Sequence, residues 1–150
     1  MKRSMCYHST VYGLVALAFL IGTPLTGPEA SAADVIIICN KDVSESSLSK
    51  SDLKNIFLGK KRAWDNGYKV TFVTLKTGDA HKYFCRNYLN KSTAQFMSHW
   101  KKMMFTGKGQ MPKAFEKEQE VINFVAKTDG AISYVSANIT SAQIKVLAVK

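Results

Sequence analysis

Three groupings of residues in this 150-residue sequence have the types and spacing to do chemistry. The first is Lys76-Thr77-Gly78-Asp79-Ala80-His81-Lys82, which follows an apolar run and opens a helical pattern. Ligands gather at such strand-to-helix junctions in open α/β sheets. The N–H groups of Asp79, Ala80 and His81 would be free at the helix start, and Lys76 and Lys82 add positive charge. The chemistry expected is weak binding of a small oxyanion, micromolar or poorer. Asp79 opposes it, because a carboxylate that caps those N–H groups competes with an anion. The second grouping is His81 and Cys85, four residues apart on one helix face. That spacing suits a metal or a thiolate–imidazole pair, but two ligands do not make a metal site and no third group follows. The plainer reading is an exposed histidine beside a packed cysteine. The third is Cys39 and Cys85, which form a disulfide in an oxidising compartment or stay as buried free thiols; both alternatives stand.

The sequence contains no Ser-His-Asp order, P-loop, HExxH or clustered carboxylates, so no enzyme, metal or cofactor is expected. His99 has no partner in sequence. Aromatics spaced for stacking on bases are also lacking, so nucleic acid is not an expected partner. With 46% hydrophobic residues, three prolines and three cysteines, the chain is neither disordered, collagen-like nor disulfide-built.

The first 32 residues read as a signal peptide. Lys2 and Arg3 precede an uncharged apolar run, Val11 to Ile21, and Ala30-Ser31-Ala32 forms a small-residue cleavage site. The run is short for a membrane span, which takes about 20 residues. Cleavage after Ala32 would leave residues 33–150 as one periplasmic domain. Two basic residues and one acidic residue would go with the leader, leaving 19 basic, 10 acidic and a net charge of +9. The exported chain is not expected to span a membrane.

The remaining elements must position the junction at residues 76–82. Val35–Cys39 is apolar on both faces, as a strand covered from both sides would be. Ser44–Ser49 reads as a polar loop. Ser49 to Asp52 forms a capping box for a helix with Leu53, Ile56 and Phe57 inward, stopped at Gly59. Trp64-Asp65-Asn66-Gly67 is a turn into a second strand, Val70–Leu75. Asp79 then caps a helix running to about Leu89. Ser92 to Gln95 is another capping box, opening a helix with Phe96, Trp100 and Met103 on its core face. Glu118–Lys127 is a further helix, with Val121, Phe124 and Val125 inward. Asp129-Gly130 turns into the strand Ala131–Val135, and Ile144–Val149 is the last strand. Strand, helix, strand and further alternation predict an α/β fold with a largely parallel sheet.

Leu53-Lys54-Asn55-Ile56-Phe57-Leu58-Gly59-Lys60 followed by Trp64-Asp65-Asn66-Gly67 resembles the L-x-x-I-F-x-G-K … W-x-D/N-G stretch of the periplasmic phosphate-binding proteins of ABC importers. Gly130-Ala131-Ile132-Ser133-Tyr134-Val135 is similar to that family's G-A-I-G-Y-V. Phe84 to Leu89 matches its F-x-x-x-x-L helix, and Phe105 to Gly109 resembles a segment of its short relatives. The likeness covers about Asp34 to Val135. Full members have two lobes with the anion in the cleft between them. The resemblance therefore implies a three-layer, type 2 periplasmic-binding-protein-like domain of roughly one lobe, with a mostly parallel sheet flanked by helices.

The departures bear on function. Full members carry an Arg after the second strand, then D-G-S-G-T, whose N–H groups and hydroxyls grip phosphate. Here Lys76 stands in for the Arg without its bidentate fork, Ala80 replaces the serine and Ser133 replaces a glycine. The resemblance implies an exported, non-enzymatic solute-binding-like protein and a weak or altered oxyanion site, with phosphate the type ligand. Its partner would be an ABC transporter membrane component or another envelope protein. The alternative is an adaptor that has kept the fold and lost the site. That alternative expects exposed apolar surface over the strand ends, where a second lobe would close.

Overall fold

The computed structural model describes residues 34–139 and 141–150. The signal-peptide reading of Met1–Ala32 lies outside the described residues. Six strands form one sheet: β1 (Val35–Cys39), β2 (Ser47–Leu48), β3 (Thr71–Leu75), β4 (Lys113–Phe115), β5 (Ala131–Ser136) and β6 (Lys145–Val149). Their order is β2-β6-β1-β5-β3-β4. Four helices accompany them: α1 (Lys50–Phe57), α2 (Asp79–Leu89), α3 (Thr93–Phe105) and α4 (Glu118–Lys127). α1, α2 and α3 pack as one layer, and α4 covers β1, β3, β4 and β5 from the other side. The expected three-layer α/β architecture is present.

The sheet is mostly parallel, with one exception. β3 runs parallel to β4 and β5, and β2 parallel to β6, but β1 is antiparallel to both neighbours. The expected β1–helix–β3 crossover therefore does not form, and β5 lies between β1 and β3. The apolar run of β1 requires burial on both faces, which a central position provides in either direction. Two short edge strands were not legible. Ser47–Leu48, expected as loop, pairs with β6, and Lys113–Phe115 pairs with β3. Pairing with an existing strand edge can satisfy a two- or three-residue segment that has no periodicity of its own.

α1 begins where expected. The Ser49 Oγ accepts the Asp52 N–H at 2.9 Å. Leu53, Ile56 and Phe57 are fully buried. Gly59, at φ +75°, takes the left-handed conformation past the helix end, and a Cβ there would lie 2.7 Å from the Trp100 ring. Phe57 is the hub of the helical layer: its ring meets Phe84 edge-on at 4.6 Å and Phe72 at 5.1 Å. Phe84 in turn stacks on Tyr134 at 3.9 Å. On α3, Phe96 and Trp100 are buried and Met103 packs against them, as expected. On α4, Ile122 joins Val121 and Val125 in the core. Phe124, expected inward, is only half-buried and packs on Phe115 at the sheet edge.

Gly130 joins three segments. Its N–H donates to the Asp42 carboxylate at 3.0 Å, and its carbonyl accepts from the Trp64 indole at 3.0 Å and the Thr71 N–H at 3.1 Å. At φ +65° a side chain is strained, and a Cβ would lie 2.2 Å from the Lys69 carbonyl oxygen. Gly130→Ala should lower unfolding stability by about 3 kcal/mol in a urea titration. Phe57→Ala should cost about 3–5 kcal/mol by the same measurement. A loss below about 1 kcal/mol for Phe57→Ala would contradict its place in the core.

Candidate functional site

β3 and β5 pair through Thr71–Ala131 and Phe72–Ile132 only. Beyond that point side-chain hydroxyls from β5 fill the gap. The Ser133 Oγ donates to the Val73 carbonyl at 2.8 Å, and the Tyr134 hydroxyl accepts the Leu75 N–H at 3.3 Å. Ser133, where the resembled family has glycine, thus serves a buried backbone group. The chain leaves β3 at Lys76, whose N–H donates to the Phe115 carbonyl at 2.8 Å. Thr77 and Gly78 turn it into α2.

The helix start differs from expectation. Gly78 is the N-cap at φ 104°, with no side-chain cap, and Asp79 is the first helical residue. Glycine is needed for that φ, and it displaces the carboxylate from the capping position by one residue. Asp79 pairs instead with Lys82 at 3.2 Å. The N–H groups at the head of α2 are therefore uncapped by any side chain, and the anticipated competition from Asp79 as a cap does not arise.

Lys76 and Lys82 do not stand as free cations. The Lys76 ammonium lies 2.9 Å from the Glu116 carboxylate, and Lys82 is held by Asp79. These pairs are exposed, so each is weak. Thr77, Gly78, Asp79 and Ala80 line a recess of about 310 Å3 together with Leu75, Glu116, Glu118 and Ser136. Glu118 Oε1 accepts both the N–H and the hydroxyl of Ser136, at 3.2 and 2.7 Å, tying the head of α4 to the end of β5. Carboxylates scattered in sequence thus gather around one opening. Glu116, Glu118 and Ser136 were missed as site residues. Reading Lys113–Phe115 as a strand parallel to β3 would have placed Glu116 beside Lys76.

His81 belongs to the core. It is buried rather than exposed, its ring stacks on Tyr134, and its Nδ1 lies within hydrogen-bond distance of the Tyr134 hydroxyl. The Leu75 N–H already donates to that oxygen. The arrangement that satisfies every group has Tyr134 O–H donating to Nδ1, with His81 neutral. Burial pushes the His81 pKa down. The Cys85 sulfur is 3.9 Å from the His81 ring nitrogens, and burial pushes the Cys85 thiol up to about 12. Neither an imidazolium nor a thiolate is favoured, so the pair is not an activated nucleophile. Cys39, raised to about 12 by burial, and Cys85 are free thiols, so the disulfide alternative is not adopted. His99 finds a partner across the fold: its Nε2 lies 3.1 Å from the Leu58 carbonyl oxygen. Among the described residues no cluster of His, Cys, Asp and Glu could hold a metal ion. Among them too, no helix is long and apolar enough to cross a membrane.

Comparison with solved structures identifies the fold. An ABC-type phosphate transport receptor from Vibrio cholerae superposes with a TM-score of 0.59 at 13% identity, over 77% of this chain and 45% of that protein. PstS from Borrelia burgdorferi gives 0.59 at 14% identity, over 77% of this chain and 47% of that protein. A phosphate binding protein from Stenotrophomonas maltophilia gives 0.58 at 19% identity, over 79% and 39%. The chain spans less than half the length of these proteins and has their fold over that span. No family model and no curated protein matches the sequence.

The buried neutral histidine makes stability depend on pH. Its folded pKa lies below the ordinary 6.5, so below pH 6.5 the unfolded chain takes up a proton that the folded chain refuses. Its contribution is complete above pH 6.5 and is lost as pH falls toward the folded pKa. Urea titrations should show a loss of up to about 1 kcal/mol between pH 6.5 and 5.5. His81→Gln, which keeps an acceptor for Tyr134 without titrating, should flatten that slope.

Proposed function

We propose that this chain is an exported, non-enzymatic solute-binding-type module that holds a small oxyanion weakly at Lys76–Lys82. The observation that carries this reading is the head of α2. An eleven-residue helix opens at the end of β3 with a glycine N-cap and no side-chain cap, and Gly78, Asp79 and Ala80 at its head line an accessible recess. Helix dipole and unpaired N–H groups together attract an anion there. The solved structures that share the fold are, by their descriptions, phosphate-transport and phosphate-binding proteins. Export rests on the N-terminal sequence pattern, and a membrane component of an ABC transporter is the corresponding partner.

The second reading, an adaptor with the fold kept and the site lost, draws support from the carboxylates around the same recess. Asp79, Glu116 and Glu118 oppose any anion, and the exposed lysines are already engaged. Its expected apolar patch is not at this opening. The exposed large apolar residues, Phe105 and Tyr68 foremost, are not among the residues that line the recess.

Calorimetric titration of the protein with phosphate and sulfate separates the two readings. The binding reading expects a dissociation constant in the micromolar range or weaker. Asp79→Ser and Glu116→Gln, each removing a repelling charge, should tighten it by roughly three- to tenfold. Lys76→Ala should weaken it by a similar factor. Heats indistinguishable from dilution for the wild type and all three variants would leave the adaptor reading.

A further inference from the structure

We propose that the outward face of α3, with the loop behind it, docks on an anionic phospholipid bilayer. α3 is apolar on two sides. Phe96, Trp100 and Met103 face the core, yet Met97, Met104 and Phe105 are exposed at 44%, 46% and 83%. Positions 97, 101, 104 and 105 fall at i, i+4, i+7 and i+8, so Lys101 shares the outward stripe. Three exposed apolar side chains on one stripe, rimmed by lysines, form the kind of surface that marks a protein or membrane contact, whereas a single exposed phenylalanine would not.

The charge around the stripe says what covers it. Residues 79–115, which run from the head of α2 through α3 to the end of β4, include seven Lys or Arg and one acidic residue, Asp79 at the start of α2. Lys101, Lys102 and Lys108 flank Phe105 in sequence and are exposed. Among the described residues none of the three joins an ion pair. A second copy of the chain on this face would set these lysines against their own equivalents. A bilayer with anionic headgroups presents the opposite charge, and its acyl region accepts the Phe and Met side chains. The lysine stems lie along the apolar boundary while their ammonium groups reach the phosphates.

The site is independent of the oxyanion loop. The Lys108 carbonyl accepts from Arg62 Nη2 at 2.7 Å, and the Arg62 carbonyl accepts the Val70 N–H at 2.9 Å. The loop after α3 is thus tied to the beginning of β3, whereas Lys76–Lys82 leaves its other end. Docking through Phe105 leaves that recess open.

The test uses the full chain with vesicles of phosphatidylcholine alone or mixed with phosphatidylglycerol. Adding phosphatidylglycerol should raise co-sedimentation at least about tenfold at low salt, and added salt should reverse the gain. Phe105→Ser, and separately Lys101→Gln with Lys102→Gln, should each cut the gain about fivefold or more, with unchanged thermal melts. The apolar N-terminal run could itself hold the chain on any vesicle, so a local readout is added. In Phe105→Trp, emission should shift to the blue and be quenched by brominated lipid on the mixed vesicles only. Equal behaviour on both vesicle types, or no spectral change at position 105, overturns the proposal. So does a lipid-free dimer that Phe105→Ser converts to monomer, which would assign the face to a second copy.

Discussion

The backbone groups of Val73 and Leu75 impose the requirement on which the rest of the molecule turns. Both sit on a buried strand edge where the ladder to β5 has ended, and a buried peptide group without a partner is costly. Ser133 and Tyr134 meet that requirement with hydroxyls instead of main-chain atoms. The consequence runs outward from there. The Tyr134 ring stacks on Phe84 while its hydroxyl reaches Leu75, and that hydroxyl also takes in His81. His81 turned inward fixes the first turn of α2, and with it the direction in which the head of the helix points.

That construction gives the recess beside α2 its mixed character. Its backbone offers positive potential, and its side chains offer carboxylates that are already partnered. Two kinds of partner serve different ends. Glu118 is spent on Ser136, a structural tie between α4 and β5, whereas Asp79 and Glu116 hold exposed lysines that solvent screens. The first is part of the scaffold; the other two can be rearranged at small cost. The balance between helix head and surrounding charge therefore sits in residues that are not needed for folding.

Charge is also unevenly divided between the ends of the chain's helical layer. From Asp79 to Phe105 the α2–α3 region carries five Lys or Arg and a single carboxylate, Asp79 at its head, while carboxylates collect at the C-terminal ends of β3, β4 and β5. An uneven field of this sort orients a protein relative to a charged surface before any contact forms. It also means that the two candidate surfaces, the recess and the outer face of α3, favour ligands through different physics: uncapped peptide groups in one, lysines beside exposed apolar side chains in the other.

Local chemistry was legible in the sequence. The caps at Ser49 and Ser92, the stop at Gly59, the inward stripes of α1 and α3 and the turn at Gly130 depend on residues close together in the chain, and they appear as read. The junction at Lys76–Lys82 was also placed correctly, between a strand and a helix. What sequence could not contain was the pairing of distant parts. An apolar run fixes burial but not direction, so β1 could be antiparallel without any sign in its residues. A three-residue edge strand has no pattern, so Glu116 arrived beside Lys76 unannounced. His81 looks like a surface residue at a helix start, and only the Tyr134 hydroxyl, 53 positions away, gives its ring a reason to be buried. The sequence by itself determined where the helices and the longer strands lie, because caps, turns and periodicity act over a few residues. Tertiary structure alone decided which strands neighbour one another and which charges meet, because those follow from satisfying buried groups across the whole fold.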